Sequence, residues 1–449
     1  MRSVSITINQ KSKLLIGLSL SVSIISYGQE NSPYSRYGLG DLVPTANVVN
    51  RSMGGIAAAF SDYDNRYDQK DRYQKPQTVN FLNPASYGKL RITSFDLGFE
   101  IDNRTLHSID PIEKFKSASA IISYVQLGIP LNRKHGLGMV IGLRPITRIN
   151  YKIQQNSRVA GIDSLSTLFQ GSGGTYQVYT GFGKSFKNLS IGVNAGYFFG
   201  TKDFSTRKIF IPDSLDRTYY KSNYETKTTI GGLFYDLGAQ YRGKLNKTTF
   251  LHLGVYGNAR QKFNLTKENL AETFDYDANG AVKSYDTVSY FKNIKGKLDY
   301  PSTVGVGLMI EKQDRWMVGM DFIKTSWDNY RFFGEADAVK SNWMLKVGGQ
   351  ITPNLLKAKN YWNLVTYRAG FNVGPDYISA NGKLPQFGIT AGAGFPVRRN
   401  PYTNQYTSIN LGLEYGKRGN NNNIITENIF RITLGLTLSD LWFVKKKYD

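Results

Sequence analysis

The pattern nearest to a chemical site is Asp275-x-Asp277-x-Asn279-Gly280, continued by Val282, Ser284 and Asp286. Oxygen ligands at alternate positions before a glycine bend are the spacing of a calcium loop, because a hard cation gathers carboxylate and amide oxygens. The twelfth position is Asp286 rather than Glu, and no helical pattern flanks the loop. Asn279-Gly280 between Tyr276 and Val282 is equally a type I′ hairpin turn. Calcium stands as a candidate for Asp275, Asp277, Asn279 and Asp286; no other metal and no cofactor is expected. The chain has no cysteine, which removes thiolate zinc and iron–sulfur centres. Its three histidines, His107, His135 and His252, are far apart in sequence and suggest no metal or nucleophile site. Gly171-Ser172-Gly173-Gly174 lacks the spacing of a nucleophile elbow. No lysine motif cradles phosphate. The chain is not expected to be an enzyme.

Other charged residues fall into a pattern set by strands. Phe95, Leu97, Phe99 and Ile101 alternate with Ser94, Asp96, Gly98 and Glu100. Ile409, Leu411, Leu413 and Tyr415 alternate with Asn410, Gly412 and Glu414, and Phe430, Ile432 and Leu434 with Arg431 and Thr433. One face is apolar; the other is small, polar or charged. In a transmembrane barrel the apolar face meets lipid and the polar face lines the lumen. Segments of 10–14 residues are long for a soluble sandwich. The lumen phase then holds Asp96, Glu100, Asp321, Arg368, Glu414 and Arg431, together with Arg144 and Asp236. These charges either brace the barrel as a salt-bridge lattice, or Arg368 or Arg431 meets a ligand carboxylate.

The alternation places strands at 92–101, 119–130, 136–149, 174–186, 189–200, 222–242, 249–265, 294–311, 315–330, 341–351, 363–373, 386–396, 405–416 and 428–443. That is an all-β, fourteen-stranded antiparallel transmembrane barrel. The connections alternate between long and short, which suggests long loops outside, short turns in the periplasm, and both chain ends periplasmic. Aromatics near strand ends (Trp316, Trp327, Tyr330, Trp343, Trp362, Trp442 and Phe443) suit an interfacial girdle.

The 449 residues carry a formal charge of +22, which taken alone suggests an anionic partner. Residues 1–28 change that reading. Arg2, Lys11 and Lys13 precede a twelve-residue apolar run, and Ser26-Tyr27-Gly28 follows with small residues at the −3 and −1 positions. That is a secretory signal peptide. Its helix would span about 18 Å, short of a bilayer core of roughly 30 Å. An exported chain is not expected to bind nucleic acid. The short turns are rich in Lys and Arg, among them Arg133, Lys134, Lys187, Lys247, Arg398 and Arg399, and Lys445, Lys446 and Lys447 follow at the C-terminus. They are either ordinary solvated turns or a belt facing inner-leaflet phosphates.

Residues 29–91 do not read as strands. They are expected to form a lumenal hatch, the alternative being a periplasmic tail, ahead of a barrel over 92–449. Here the chain resembles the FadL-type outer-membrane transport family. The resemblance rests on Met53-Gly54-Gly55 leading to Ala59, and on Asn83-Pro84-Ala85 before the first strand. It continues with Pro301-Ser302-Thr303-Val304-Gly305, Tyr367-Arg368-Ala369-Gly370 and Leu413-Glu414-Tyr415-Gly416. The ending, from Leu434-Gly435-Leu436 to Trp442-Phe443, looks like that of Bacteroidota members. The resemblance implies a bacterial outer-membrane channel passing small hydrophobic compounds, such as long-chain fatty acids, by diffusion past a movable hatch and through a lateral opening. Pro145 cannot donate to the sheet ladder, so the opening is expected at Arg144 and Pro145; a proline just above the membrane is the alternative. Membrane lipids and a hydrophobic ligand are the implied partners. The family also includes non-transporting barrels of the PorV type, so a subunit of an outer-membrane secretion or assembly complex is the second reading. The charged stretch from Ser61 to Thr78 separates the glycine run from the Asn-Pro-Ala box more widely than is usual in the family.

Overall fold

The computed structural model describes residues 32–62, 76–158, 164–211, 219–277, 282–355, 360–380, 382–397, 405–440 and 442. The signal-peptide reading of 1–28 lies outside them. The described residues form a closed antiparallel barrel of fourteen strands. They are β1 Thr93–Ile109, β2 Ile112–Asn132, β3 Leu137–Arg158, β4 Ser164–Phe186, β5 Leu189–Ile211 and β6 Lys221–Lys244. β7 runs as Thr249–Asn258 and Gln261–Tyr276, and β8 as Val282–Tyr300 and Thr303–Lys312. The two pieces of β7 pair in turn with the lower and upper parts of β6, so each interrupted strand fills one place in the wall. β9 Trp316–Thr325, β10 Asn342–Ile351, β11 Thr366–Pro375, β12 Pro385–Pro396, β13 Tyr406–Arg418 and β14 Ile425–Asp440 complete it. β14 closes on β1 from Ile425↔Ser108 to Asp440↔Thr93. The rim where β1 begins and β14 ends is called the terminal rim below, and the opposite one the far rim.

The alternation that builds these strands also sorts their faces. Phe95, Phe99, Ile101, Ile409, Leu411, Leu413, Phe430, Leu434 and Leu438 are all exposed, while Asp96, Glu100, Asn410 and Thr433 between them are buried. Such an inverted pattern, apolar outside and polar inside, belongs to a wall bathed in lipid.

The wall is uneven. β9, β10 and β11 have 10 residues each, about what a tilted strand needs to cross a bilayer, whereas β4 and β5 have 23. The long external loops expected after β1, β3, β5 and β7 are therefore mostly strand. β1 and β2 are joined by Asp110 and Pro111 alone. The reason is chemical. Above the lipid the outward positions become polar, as at Asn103 and Thr105, so the hydrophobic alternation stops while the hydrogen-bond ladder continues. The long connections that remain are 212–220, 326–341, 352–365, 376–384 and 397–405.

Of the expected girdle, Trp316, Trp343, Trp362 and Trp442 are exposed. Trp327 and Tyr330 are not part of it. They are 3% and 0% exposed, because the 326–341 connection turns inward and stacks Trp327 on Tyr377 at 4.1 Å. Phe443 lies outside the described residues.

Residues 32–62 and 76–92 lie against the inward face of the strands. Leu39, Met53, Ile56, Ala57, Ala58, Phe60, Val79, Phe81, Ala85 and Tyr87 are each buried. Only short elements occur here: a 3-10 helix Pro33–Arg36, a four-residue helix Val48–Arg51, capped by Asn47 accepting from Asn50 N, and a 3-10 helix Pro84–Lys89. A two-residue strand, Asp41–Leu42, pairs with β3 at Arg148 and Thr147.

Candidate functional site

The Asn83-Pro84-Ala85 box is a clamp. Asn83 caps the 3-10 helix by accepting from Ala85 N at 3.1 Å. Its Nδ2 donates to Ala58 O at 2.7 Å, Val255 O at 3.2 Å and Ala239 O at 3.3 Å, joining two parts of the segment to β6 and β7. The wall beneath is glycine: a Cβ on Gly183, Gly192 or Gly238 would overlap Pro84, Ala85 or the Asn83 side chain.

Two of the expected lumen carboxylates also hold the segment. Asp321 accepts from Ala57 N at 2.6 Å and Ala58 N at 2.8 Å. Asp96 accepts from Thr78 Oγ1 at 2.8 Å, Gln126 Nε2 at 3.2 Å, and the hydroxyls of Tyr124 and Thr437 at 3.3 Å. Arg368 is separate: it donates to Gln350 at 3.0 Å and Asn410 at 3.0 Å.

Arg144 and Asp236 pair with each other at 3.8 Å, and the other charges form one lattice. Arg431 pairs with Asp102 at 3.1 Å and Glu414 at 2.9 Å. Arg51, from the segment, pairs with Glu100 and with Glu414 at 3.3 Å, and Arg148 reaches Glu100 at 3.3 Å. Asp41, also from the segment, accepts from Arg104 and from Arg418 at 2.7 Å. Arg418 also pairs with Asp376 at 3.0 Å and Glu427 at 3.3 Å. Five arginines thus meet six carboxylates. Burial pushes the Asp41 carboxyl up, but Arg418 and Arg104 outweigh it and hold it down to about 2.

The sequence reading found Glu100, Glu414 and Arg431 but missed Asp41, Arg51, Asp102, Arg104, Arg148, Asp376, Arg418 and Glu427. A signal existed for two of them. Asp102 and Arg104 continue the inward phase of Asp96 and Glu100. They were hidden because the outward residues between them are polar.

Between segment, wall and far-rim connections lies a cavity of about 310 Å³. Asp41, Arg51, Arg144, Asp236, Lys346, Asp376, Glu414, Arg418 and Arg431 line it alongside Leu82, Ile146, Tyr300, Ile323, Trp327 and Met344. Its far side is covered by the connections. Gly38 N donates to Asp337 at 2.8 Å, Tyr377 donates to Gly40 O, and Lys202 donates to Gly38 O at 2.6 Å.

At Arg144 and Pro145 the wall parts. β2 pairs with β3 only from Val125↔Leu143 to Asn132↔Leu137, although β2 continues to pair with β1 up to Ile112 and β3 with β4 up to Arg158. The β3–β4 register slips between Pro145 and Thr147. Arg144 turns into the lumen, donates to Gln177 at 2.8 Å, and lies over the Phe81 ring.

The calcium pattern is divided. Asn279 lies outside the described residues, Asp275 is ion-paired with Lys221 of β6, and Tyr276 faces Val282 across the β7–β8 ladder, as a hairpin requires. Of the basic rim, Arg398, Arg399, Lys445, Lys446 and Lys447 also lie outside the described residues.

Three comparisons bear on this geometry. The family model described as BamG matches residues 11–449. Among solved structures, the Pseudomonas putida toluene transporter TodX aligns with 89% of this chain and 99% of its own, at 14% identity and a TM-score of 0.54. The CymD monoaromatic hydrocarbon channel covers 90% and 99%, at 12% identity and a TM-score of 0.52. A Pseudomonas aeruginosa FadL homologue covers 89% and 99%, at 12% and 0.52. At such identities the expected FadL-type likeness holds for the fold. No curated protein matches the sequence.

Proposed function

The chain belongs to the BamG family, and from its filled lumen we propose that it is a non-transporting barrel subunit of a bacterial outer-membrane secretion or assembly complex. The bridges that tie Asp41 and Arg51 to β1 and β13, with β3 and β14 joined through Arg148, Glu427 and Arg431, carry this reading. A channel for hydrophobic compounds needs a continuous apolar path, and the apolar side chains of this cavity are interrupted by the charged pairs Arg51–Glu414, Arg418–Asp41 and Arg144–Asp236, whose desolvation is partly offset within each pair. On this reading residues 29–91 are a fixed plug, and the basic terminal rim faces inner-leaflet phosphates or a partner.

One observation favours the other reading. The parting at Arg144 and Pro145 stands where a lateral exit for a hydrophobic compound would be, and the similar folds include a toluene transporter and a monoaromatic hydrocarbon channel. On that reading 29–91 is a movable hatch, and fatty acids or monoaromatics are the substrate class.

The two separate on one preparation. Outer membranes are solubilised gently, run on a native gel, and the excised band is analysed for lipids by mass spectrometry. The subunit reading expects a species well above 50 kDa containing other proteins, with no stoichiometric hydrophobic ligand. A lone barrel carrying one bound fatty acid or hydrocarbon would overturn it and support the channel.

A further inference from the structure

Where the wall parts, two sheet edges arise, and the molecule treats them differently. The β3 edge is occupied by the N-terminal segment: Val43 N donates to Ile146 O at 2.9 Å, Asp41–Leu42 pairs with Arg148 and Thr147, and Ser32 N donates to Asn150 O at 3.2 Å. Opposite, among the described residues, the β2 backbone at 112–124 pairs with β1 alone. Its sequence there, Ser117-Ala118-Ser119-Ala120-Ile121-Ile122-Ser123, has no lysine or proline. Ser117 Oγ and Ser123 Oγ are buried without a hydrogen-bond partner, and Ser123 stands just where β2 and β3 separate.

The free edge of β8 shows the contrast. Over 282–296 it carries Lys283, Lys292 and Lys295 and three register breaks against β7, the usual means of blocking strand addition. Over 117–123 the β2 edge has no lysine and a single register break, at Ser123 where Tyr124↔Gly98 gives way to Ile122↔Phe99, although Ile101↔Ala120 places residues 120–123 level with the lipid-facing belt. Unpaired backbone groups facing lipid cost several kcal/mol each.

We propose that the β2 edge receives an extended segment of a partner subunit, added as a strand along residues 117–123. Main-chain hydrogen bonds supply the affinity, and the small side chains leave room for the incoming strand. The far-rim mouth of the gap bears Lys114 and Lys116 on β2, against Glu113. The incoming segment is therefore small or apolar at membrane level and acidic at its outer end. The proposal rests on the subunit reading above.

Ala118→Lys with Ala120→Lys puts charge on this edge without touching the ion lattice; Val288→Lys on the β8 edge is the control. Wild type and control should migrate in the complex. The double variant, still heat-modifiable as a folded barrel, should lose at least tenfold of its complexed fraction. Independently, wild-type amides 117–123 should exchange at least tenfold more slowly in the complex than in the purified barrel. A complex that survives both lysines, or equal exchange rates, would overturn the strand addition and leave the subunit reading intact. Wild type that runs alone would overturn both. Equal protection of the purified barrel in vesicles of lipopolysaccharide and phosphatidylethanolamine would assign the edge to lipid and overturn the proposal.

Discussion

At the residue scale, the consequences follow from which charges are buried with partners. Arg51 meets Glu100 and Glu414 with its side chain 5% exposed. Arg51→Ala leaves two buried carboxylates short of a cation, a loss of about 3–5 kcal/mol. The urea midpoint of the refolded barrel should fall accordingly, while Arg51→Met with Glu100→Gln should recover part of it. Lys89 behaves in the opposite sense. Burial, with help from Arg242, lowers its ammonium to about 8 from the ordinary 10.5. The unfolded chain therefore holds more protons between those values, and stability rises with pH through the window. Below pH 8 the folded state carries a penalty of roughly 3 kcal/mol. Lys89→Met should gain up to that amount at pH 7, and its unfolding free energy should lose the rise between pH 8 and 10.5. An unchanged pH profile would contradict this. Much of the site at this scale was readable from two-residue periodicity, which puts Asp96, Glu100, Asp321, Glu414 and Arg431 inside. Asp41 and Arg51 were not readable, because they sit on a two-residue strand and a four-residue helix, too short to show a period.

At the element scale, the glycine run of the segment and the glycines of the wall work as one contact. Gly54 has φ +69, and a Cβ on Gly348 or Gly370 would overlap the Met53 and Gly54 backbone. Gly370→Ala should thus loosen docking by about 1–3 kcal/mol. Because cleavage of a transiently open segment follows its open population, trypsin should cut at Arg51 roughly ten- to a hundredfold faster than in wild type. Equal cleavage rates would mean that this glycine contact does not hold the segment. The same scale explains what strand reading could and could not reach. The number and order of strands followed from the lipid-facing alternation. The upper halves of β1 to β8 did not, because a strand standing in water needs no apolar face. Trp327 and Tyr330 were misplaced for a related reason: an aromatic beside a strand end suits a membrane interface and a folded-in cover equally well.

At the scale of the whole molecule, the question is what the barrel would be without its contents. A wall of fourteen strands leaves a lumen too wide for its own side chains to fill, and barrels of 16–18 strands hold an aqueous channel. Here residues 32–62 and 76–92 lie against the inward face of that wall, held through Asp41, Arg51, Asn83 and the carboxylates of Asp96 and Asp321. The net charge of +22 gives no hint of this arrangement, since the lattice is nearly neutral and contributes almost nothing to the sum. Two opposite outcomes follow for a planar bilayer. The intact protein should be electrically silent, and a variant lacking residues 32–91 should open steady, ion-conducting pores. Steady conductance by the intact protein would mean that the lattice does not seal the lumen, and the subunit reading would lose its main support. Conductance that appears only at low pH has a different meaning. Asp41, held near 2 by Arg418 and Arg104, stabilises the docked segment above its ordinary carboxylate range, and that contribution disappears as pH falls toward 2. Acid-gated pores that vanish on return to neutral pH would therefore locate the seal in the arginine–carboxylate lattice that holds Asp41 and Arg51.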